Sequence, residues 1–257
     1  MPLLQIVGLV LAAVAGGAIN AVAGGGTLVT FPTLLFYGVP PIIANATSTL
    51  ALVIGTSGGI YGFREHLGPV RPWLRRFVPV SLLGGLLGAI LLNLTSNRTF
   101  GRLVPFLILF ASILFLAQGF FRRMIRAEGE VVVRKRSAIW GIILFQFGVA
   151  VYGGYFGAGI GILMLASLGF IGLQNIHEMN TLKTSLGSLI NSVAAIWFIF
   201  AGLIDWRRAV IMTGGAVVGY YLGSKLSQRI PQRRVRQIIT AIGFILSAVT
   251  FCQEFGK

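Results

Sequence analysis

Residues 4–37 read LQIVGLVLAAVAGGAINAVAGGGTLVTFPTLLFY, an uncharged apolar run with three consecutive glycines, Gly24, Gly25 and Gly26, inside it. As one straight helix this run of about 34 residues would reach about 51 Å at 1.5 Å per residue. The hydrocarbon core of a bilayer is only ~30 Å thick. A second run of similar length, 138–172, carries Gly157, Gly159 and Gly161 near its middle. The economical reading is that each run breaks at its glycines into two shorter helices.

Around these two lie apolar runs at 43–63, 77–94, 103–121, 184–204, 209–224 and 237–252. Most suit a single span of ~17–25 residues. The 257-residue chain is 56% hydrophobic and 11% charged, against roughly 25% charged in a soluble domain. A water-soluble globule of this size still needs a polar skin. Composition therefore excludes a soluble enzyme, a disulfide-rich secreted domain and a disordered chain. It fits an all-α polytopic membrane protein, with the lipid bilayer as its first partner. The single cysteine, Cys252, cannot close an intramolecular disulfide and has no companions for a zinc site.

The net charge is +15. In a soluble chain that would raise nucleic-acid binding. Here the bases sit in short loops between apolar runs, without a basic stripe, so no nucleic-acid partner is expected. Ala21-Val22-Ala23 resembles a small-residue cleavage site, but no basic segment precedes it, so the first run reads as a membrane helix and not as a leader.

The chain also reads as two copies of one unit, residues 16–115 and 149–248, at an offset of about 131–135. Gly24 and Gly26 match Gly159 and Gly161. Asn45, Ser48 and Thr49 match Asn180, Lys183 and Thr184. Gly84 and Gly88 match Gly215 and Gly219, and Pro72-Trp73 before Arg75-Arg76 resembles Asp205-Trp206-Arg207-Arg208. The expected organisation is a first transmembrane repeat at 1–121, a basic cytoplasmic linker at 122–137 and a second repeat at 138–257.

Charge decides between topologies. With five passes per half, the halves are inverted. Of the 21 Lys and Arg, 16 then fall on one side, in 64–76, 122–136, 173–183 and 225–236, and 5 on the other. With four passes the split is 13 against 8. The positive-inside rule prefers the inverted scheme, which puts both termini outside the cytoplasm.

Several chemistries are missing. The chain has no Gly-x-x-x-x-Gly-Lys-Ser/Thr loop, so it encodes no nucleotide-driven pump. His66 and His177 have no metal-ligand companions at helical spacing, and no buried carboxylate pair or activated nucleophile suggests catalysis. The expectation is a protein that is not an enzyme, with no cofactor and no metal.

The breaks are the informative feature. A helix that stops inside the bilayer leaves backbone groups that hydrocarbon cannot satisfy. Its N-terminus offers free amides and a partial positive charge, which suit an anion. Paired interruptions in two halves of a transporter point to its binding site. Gly24, Gly25, Gly26 and Thr27 would form one half-site, and Gly157, Gly159 and Gly161 the other. The alternative, small residues for close helix packing, stays open. Polar stretches follow both breaks: Asn45-Ala46-Thr47-Ser48-Thr49 and Asn180-Thr181-Leu182-Lys183-Thr184-Ser185, then Ser188 and Asn191. Capping accounts for one or two residues of each. The surplus suits a polar pathway, with Asn45, Thr49, Asn180 and Thr184 as hydrogen-bonding candidates. Lys183 is the one base at or within an expected span. It either neutralises a bound anion or reaches for the interface or Glu178. Tyr61, Tyr152, Tyr155 and Trp197 fit a cavity wall or plain packing equally.

Gly24-Gly25-Gly26-Thr27 with Pro32, Gly38 and Asn45–Thr49, followed later by Gly153–Gly161 and Asn180–Ser185, resembles the paired signatures of the TauE/SafE sulfite exporter family, also called the 4-toluene sulfonate uptake permease family. The likeness spans nearly the whole chain. The second signature departs from the pattern: Gly-Ile-Gly stands where a glycine run is common, and Ala166 or Ser167 where a proline is common. The resemblance implies a bacterial-type inner-membrane secondary transporter for sulfite, thiosulfate or organosulfonates. The expected function is a secondary carrier of such small anions by alternating access; coupling to protons or to the membrane potential is compatible with that, and no residue identifies it. The alternatives are a passive anion channel and a membrane assembly protein without transport.

Overall fold

The structure is a computed structural model that describes residues 1–62, 67–127, 136–169, 176–226 and 232–255. Ten α-helices and no strand occur among the described residues: α1 Leu3–Ala23, α2 Thr27–Phe36, α3 Pro41–Gly62, α4 Leu67–Leu94, α5 Asn97–Ala127, α6 Arg136–Tyr155, α7 Ile160–Gly169, α8 Ile176–Phe200, α9 Trp206–Leu226 and α10 Gln232–Phe255. A helix satisfies its own backbone within one segment, as lipid requires. Five of these are long and apolar enough to cross a bilayer. Their outward side chains are oily: Leu4 on α1, Leu83 on α4, Leu116 on α5 and Ile245 on α10 are all more than half exposed. This is a multi-pass membrane protein whose outer faces are made for lipid.

Both long apolar runs are interrupted. α1 ends at Gly24, whose φ of 75° is left-handed, and α2 starts three residues later. α6 ends at Tyr155, and Gly157 and Gly159, with φ of 83° and 80°, turn the chain into α7. α2 then runs back along α1. Gly26 abuts Gly16, and the Tyr37 hydroxyl at the end of α2 reaches Gly8. The first run is therefore a helical hairpin whose second arm is only ten residues long. The stretch 122–137 is not wholly irregular, because α5 continues to Ala127 and α6 starts at Arg136.

The helix contacts repeat with a step of five. α1 packs on α9 as α6 packs on α4; α3 lies against α9 as α8 lies against α4; α5 and α10 pack on each other. Small residues make the closest of these contacts. A Cβ on Gly219 would overlap the Val14 carbonyl, and one on Gly223 would lie 2.6 Å from Ala18 Cα, so α1 and α9 run parallel and nearly backbone to backbone. On the other side a Cβ on Gly88 would overlap the Val151 carbonyl, and one on Gly84 would lie 2.9 Å from the Phe147 carbonyl. Without a hydrophobic drive between helices in lipid, such close approach supplies the packing. The halves are thus interleaved in space, each half's first helix held by the other half's fourth.

Polar bonds identify the helix ends that share a face of the molecule. Ile42 N donates to Asn97 Oδ1 at 3.2 Å, and Asp205 N donates to Thr47 Oγ1 at 3.0 Å. The start of α3, the α4–α5 turn and the α8–α9 turn therefore lie together. The end of α10 joins them, where Glu254 pairs with Arg102. The opposite face receives the ends of α1, α3 and α9 and the starts of α4, α6 and α8.

Candidate substrate cavity

A cavity of about 260 Å³ lies where the two broken runs meet α3, α8 and α9. Asn20, Ala21, Gly24 and Thr27 reach it from the first break, and Gly157, Ile160, Gly161 and Leu165 from the second. Thr49, Leu52 and Thr56 come from α3. Asn180, Lys183, Thr184, Gly187, Ser188 and Asn191 come from α8, and Tyr220 comes from α9. The lining draws on the far part of α3, the near part of α8 and the last turns of α1 and α9. The cavity therefore extends from the middle of the bundle toward the face that carries the α3–α4 and α9–α10 connections.

Two helix starts border this space. The amides of Gly25, Gly26 and Thr27 donate no backbone hydrogen bond among the described residues; the first bond of α2 runs from Leu28 N to Gly25 O at 3.1 Å. The amides of Ile160 and Gly161 are in the same position, since the first bond of α7 runs from Ile162 N to Gly159 O at 3.0 Å. Unpaired amides of this kind carry the positive end of the helix dipole. Lys183 adds the one cationic side chain among the lining residues. Its aliphatic stem lies over Gly161, where an added Cβ would sit 3.3 Å from Lys183 Cδ. The arrangement presents donors and positive charge to one polar space, with Leu52, Ile160 and Leu165 as its oily wall.

Of the expected site residues, Gly24, Thr27, Thr49, Gly157, Gly161, Asn180, Lys183 and Thr184 share this cavity. Gly25, Gly26, Asn45 and Gly159 lie outside its lining. Gly25 faces the Phe115 ring, and Gly26 faces the Gly16 carbonyl. Gly159 faces Leu114, Phe115 and Ala111. Both breaks therefore rest on the same stretch of α5. Asn45 is buried and donates through Nδ2 to the Tyr155 carbonyl at 3.1 Å. Ser48, the counterpart of Lys183, is also buried, with its hydroxyl 2.6 Å from that of Thr30.

Asn20 and Tyr220 line the cavity and carried no weight in the sequence. Asn20 is an amide deep inside an oily run, which was the available signal. Of the aromatics considered, Tyr152 donates to the Ala158 carbonyl at 2.8 Å, Tyr155 packs edge-on against Phe100, and Trp197 joins the apolar core. The side chains of Tyr61, His66 and His177 lie outside the described residues. No group of three or more His, Cys, Asp or Glu gathers among the described residues.

A helical bundle with two glycine breaks facing a donor-lined cavity matches one known family over residues 9–250, the sulfite exporter TauE/SafE. The chain belongs to the TauE/SafE family. Curated relatives of similar length include a probable membrane transporter protein of Haemophilus influenzae, 28% identical over 90% of this chain and 88% of its own. A second, the probable membrane transporter protein ORF9 of a Sinorhizobium species, is 25% identical over 93% and 89%. A third, the probable membrane transporter protein YfcA of Escherichia coli K12, is 26% identical over 95% and 89%. No solved structure matches this TauE/SafE chain.

Proposed function

We propose that this membrane transporter is a secondary carrier of small anions of the sulfur oxyanion and organosulfonate class. The observation that carries the reading is one cavity bordered by both helix N-termini and Lys183. An anion in it would accept hydrogen bonds from the free amides of Thr27, Ile160 and Gly161, from the side chains of Thr27, Thr49, Asn180 and Thr184, and from the Lys183 ammonium. Asn20, Ser188, Asn191 and Tyr220 extend that set of polar partners. Membership in the TauE/SafE family supports the sulfur chemistry of the cargo.

The opposed courses of the two halves support an inverted repeat. α3 leaves the face that holds the α4–α5 turn, whereas α8 ends there. Placing the 16 bases of the other face in the cytoplasm puts both termini in the periplasm and turns the cavity toward the cytoplasm. Transport then proceeds by rocking the interleaved halves about the cavity.

The test is a stabilisation screen of the purified protein against sulfite, thiosulfate, taurine-like sulfonates, carboxylates and phosphate. A ligand that prefers the folded state raises its apparent stability. Sulfur anions are expected to stabilise wild type and to lose that effect in Lys183→Met. Stabilisation that is equal for all anions, or unchanged in the variant, would reject the site. Counterflow in liposomes separates a carrier from a channel, since only a saturable carrier drives transient uptake against an internal pool.

A further inference from the structure

The two faces of the bundle are in different states, and the duplicated sequence identifies the residues that make the difference. The offset of 135 that pairs Gly24 with Gly159, and Asn45 with Asn180, also pairs Asn20 with Tyr155. On the face of the α4–α5 turn, Asn45 and Tyr155 are joined: Asn45 Nδ2 donates to the Tyr155 carbonyl at 3.1 Å, tying α3 of one half to the last turn of α6 in the other. The carbonyl is one of those that a helix end leaves without an internal partner. Around it the closure is aromatic. Tyr155 packs on Phe100 with ring centroids 5.6 Å apart, and Phe156 packs on Phe31 at 5.5 Å. The Tyr155 hydroxyl also meets Thr95 Oγ1 at 3.3 Å.

On the other face the matching residues, Asn20 and Asn180, both line the cavity, and no hydrogen bond joins them. The Asn20 carbonyl accepts only the backbone amide of Gly24, at 3.1 Å, among the described bonds. A carbonyl oxygen has a second lone pair. Asn180 thus shares a cavity with the residue whose carbonyl corresponds to the one that Asn45 already holds.

We propose that Asn45 and Asn180 are paired gate latches: the Asn45–Tyr155 bond seals the cavity from one face, and an Asn180 Nδ2 bond to the Asn20 carbonyl seals it from the other in the alternate state. This rests on the alternating-access reading above. The two asparagines then share a residue type because they perform the same act in turn, each bridging the halves at a broken helix end. Exchange of one bond for the other keeps the number of hydrogen bonds constant, so the two states stay close in free energy.

The test uses the full chain with Cys252→Ser and a reporter Ser188→Cys in the cavity wall. A membrane-impermeant maleimide is applied to each face in turn, in spheroplasts and in inverted vesicles. The starting protein is expected to label from the face of the α3–α4 connection. Asn45→Ala is expected to raise labelling from the opposite face at least several-fold, and Asn180→Ala to leave that face sealed. Asn45→Ala with unchanged labelling on both faces would overturn the latch. Should that variant fail gel filtration, Asn45→Leu, which keeps nearly the same shape and loses the Nδ2 donor to the Tyr155 carbonyl, carries the test. A rise in labelling from the sealed face supports the latch, and none rejects it. A disulfide between Asn20→Cys and Asn180→Cys that forms faster in Asn45→Ala gives a second readout. The labelling needs no substrate, so a screen without any stabilising anion would sink the cargo assignment and leave the latch result readable.

Discussion

The two broken helices are built alike and surrounded differently. The first turns at Gly24, where an added Cβ would meet nothing within 4 Å. The residues before that turn, Asn20 and Ala21, are small and open onto the cavity. The second follows Tyr155 and Phe156, whose rings lock against Phe100 and Phe31. The polar helices behind the breaks differ too. Lys183 reaches the cavity across Gly161, whereas its counterpart Ser48 is held in the interior by Thr30. The two halves share the backbone course, the parallel small-residue contacts and the breaks. The chemistry has diverged, so that one half supplies the charge and the other supplies the open wall.

The largest effect should come from breaking what the halves share. Gly88→Leu and Gly219→Leu each force a side chain into a backbone carbonyl, of Val151 and of Val14 respectively. Overpacking of this kind costs about 3 kcal/mol. Both variants should lose most folded protein in detergent gel filtration, to a similar extent, while Gly214→Leu, with open space at its Cα, should behave as wild type. A large difference between Gly88→Leu and Gly219→Leu would end the claim that the two contacts are equivalent.

Charge comes next. Lys183→Met should weaken anion stabilisation by at least about tenfold, the scale of one partly screened charge pair. Ser48→Met, away from the cavity lining, should not change anion affinity in the same assay. Moving the charge with Ser48→Lys should fail to rescue Lys183→Met, because position 48 is fully buried against α2. A smaller effect is expected at that buried pair. Thr30→Val removes the hydrogen bond to Ser48 and should lower unfolding stability by about 1 kcal/mol with anion affinity intact. Smallest of all, Gly161→Ala crowds the Lys183 stem, whose flexible end can shift. Affinity should fall about threefold without a change in folding.

Much of the fold was legible because lipid is a strict solvent. A run too long for the bilayer has to break or fold back, and glycines mark the place. The return of α2 along α1 was not legible, since ten apolar residues fit a half-span in either direction. The site was partly legible. Gly24 and Gly161 line the cavity, while Gly25, Gly26 and Gly159 pack against Phe115 and Gly16. Both uses demand a missing side chain, so composition cannot separate them. Asn45 and Asn180 show the same limit from another side. They carry the same amide at matching positions, yet one is sealed in a bond and the other faces open space. That distinction belongs to the conformation and has no counterpart in the letters.

The fastening of α1 to α9, and of α6 to α4, sets the order in which the protein can mature. α1 enters the membrane long before its mate has been translated, so its glycine-lined flank must wait among lipids until the second half arrives. Neither half can reach its final shape by itself. Two fragments cut in the α5–α6 connection and produced side by side should find each other and complete the bundle.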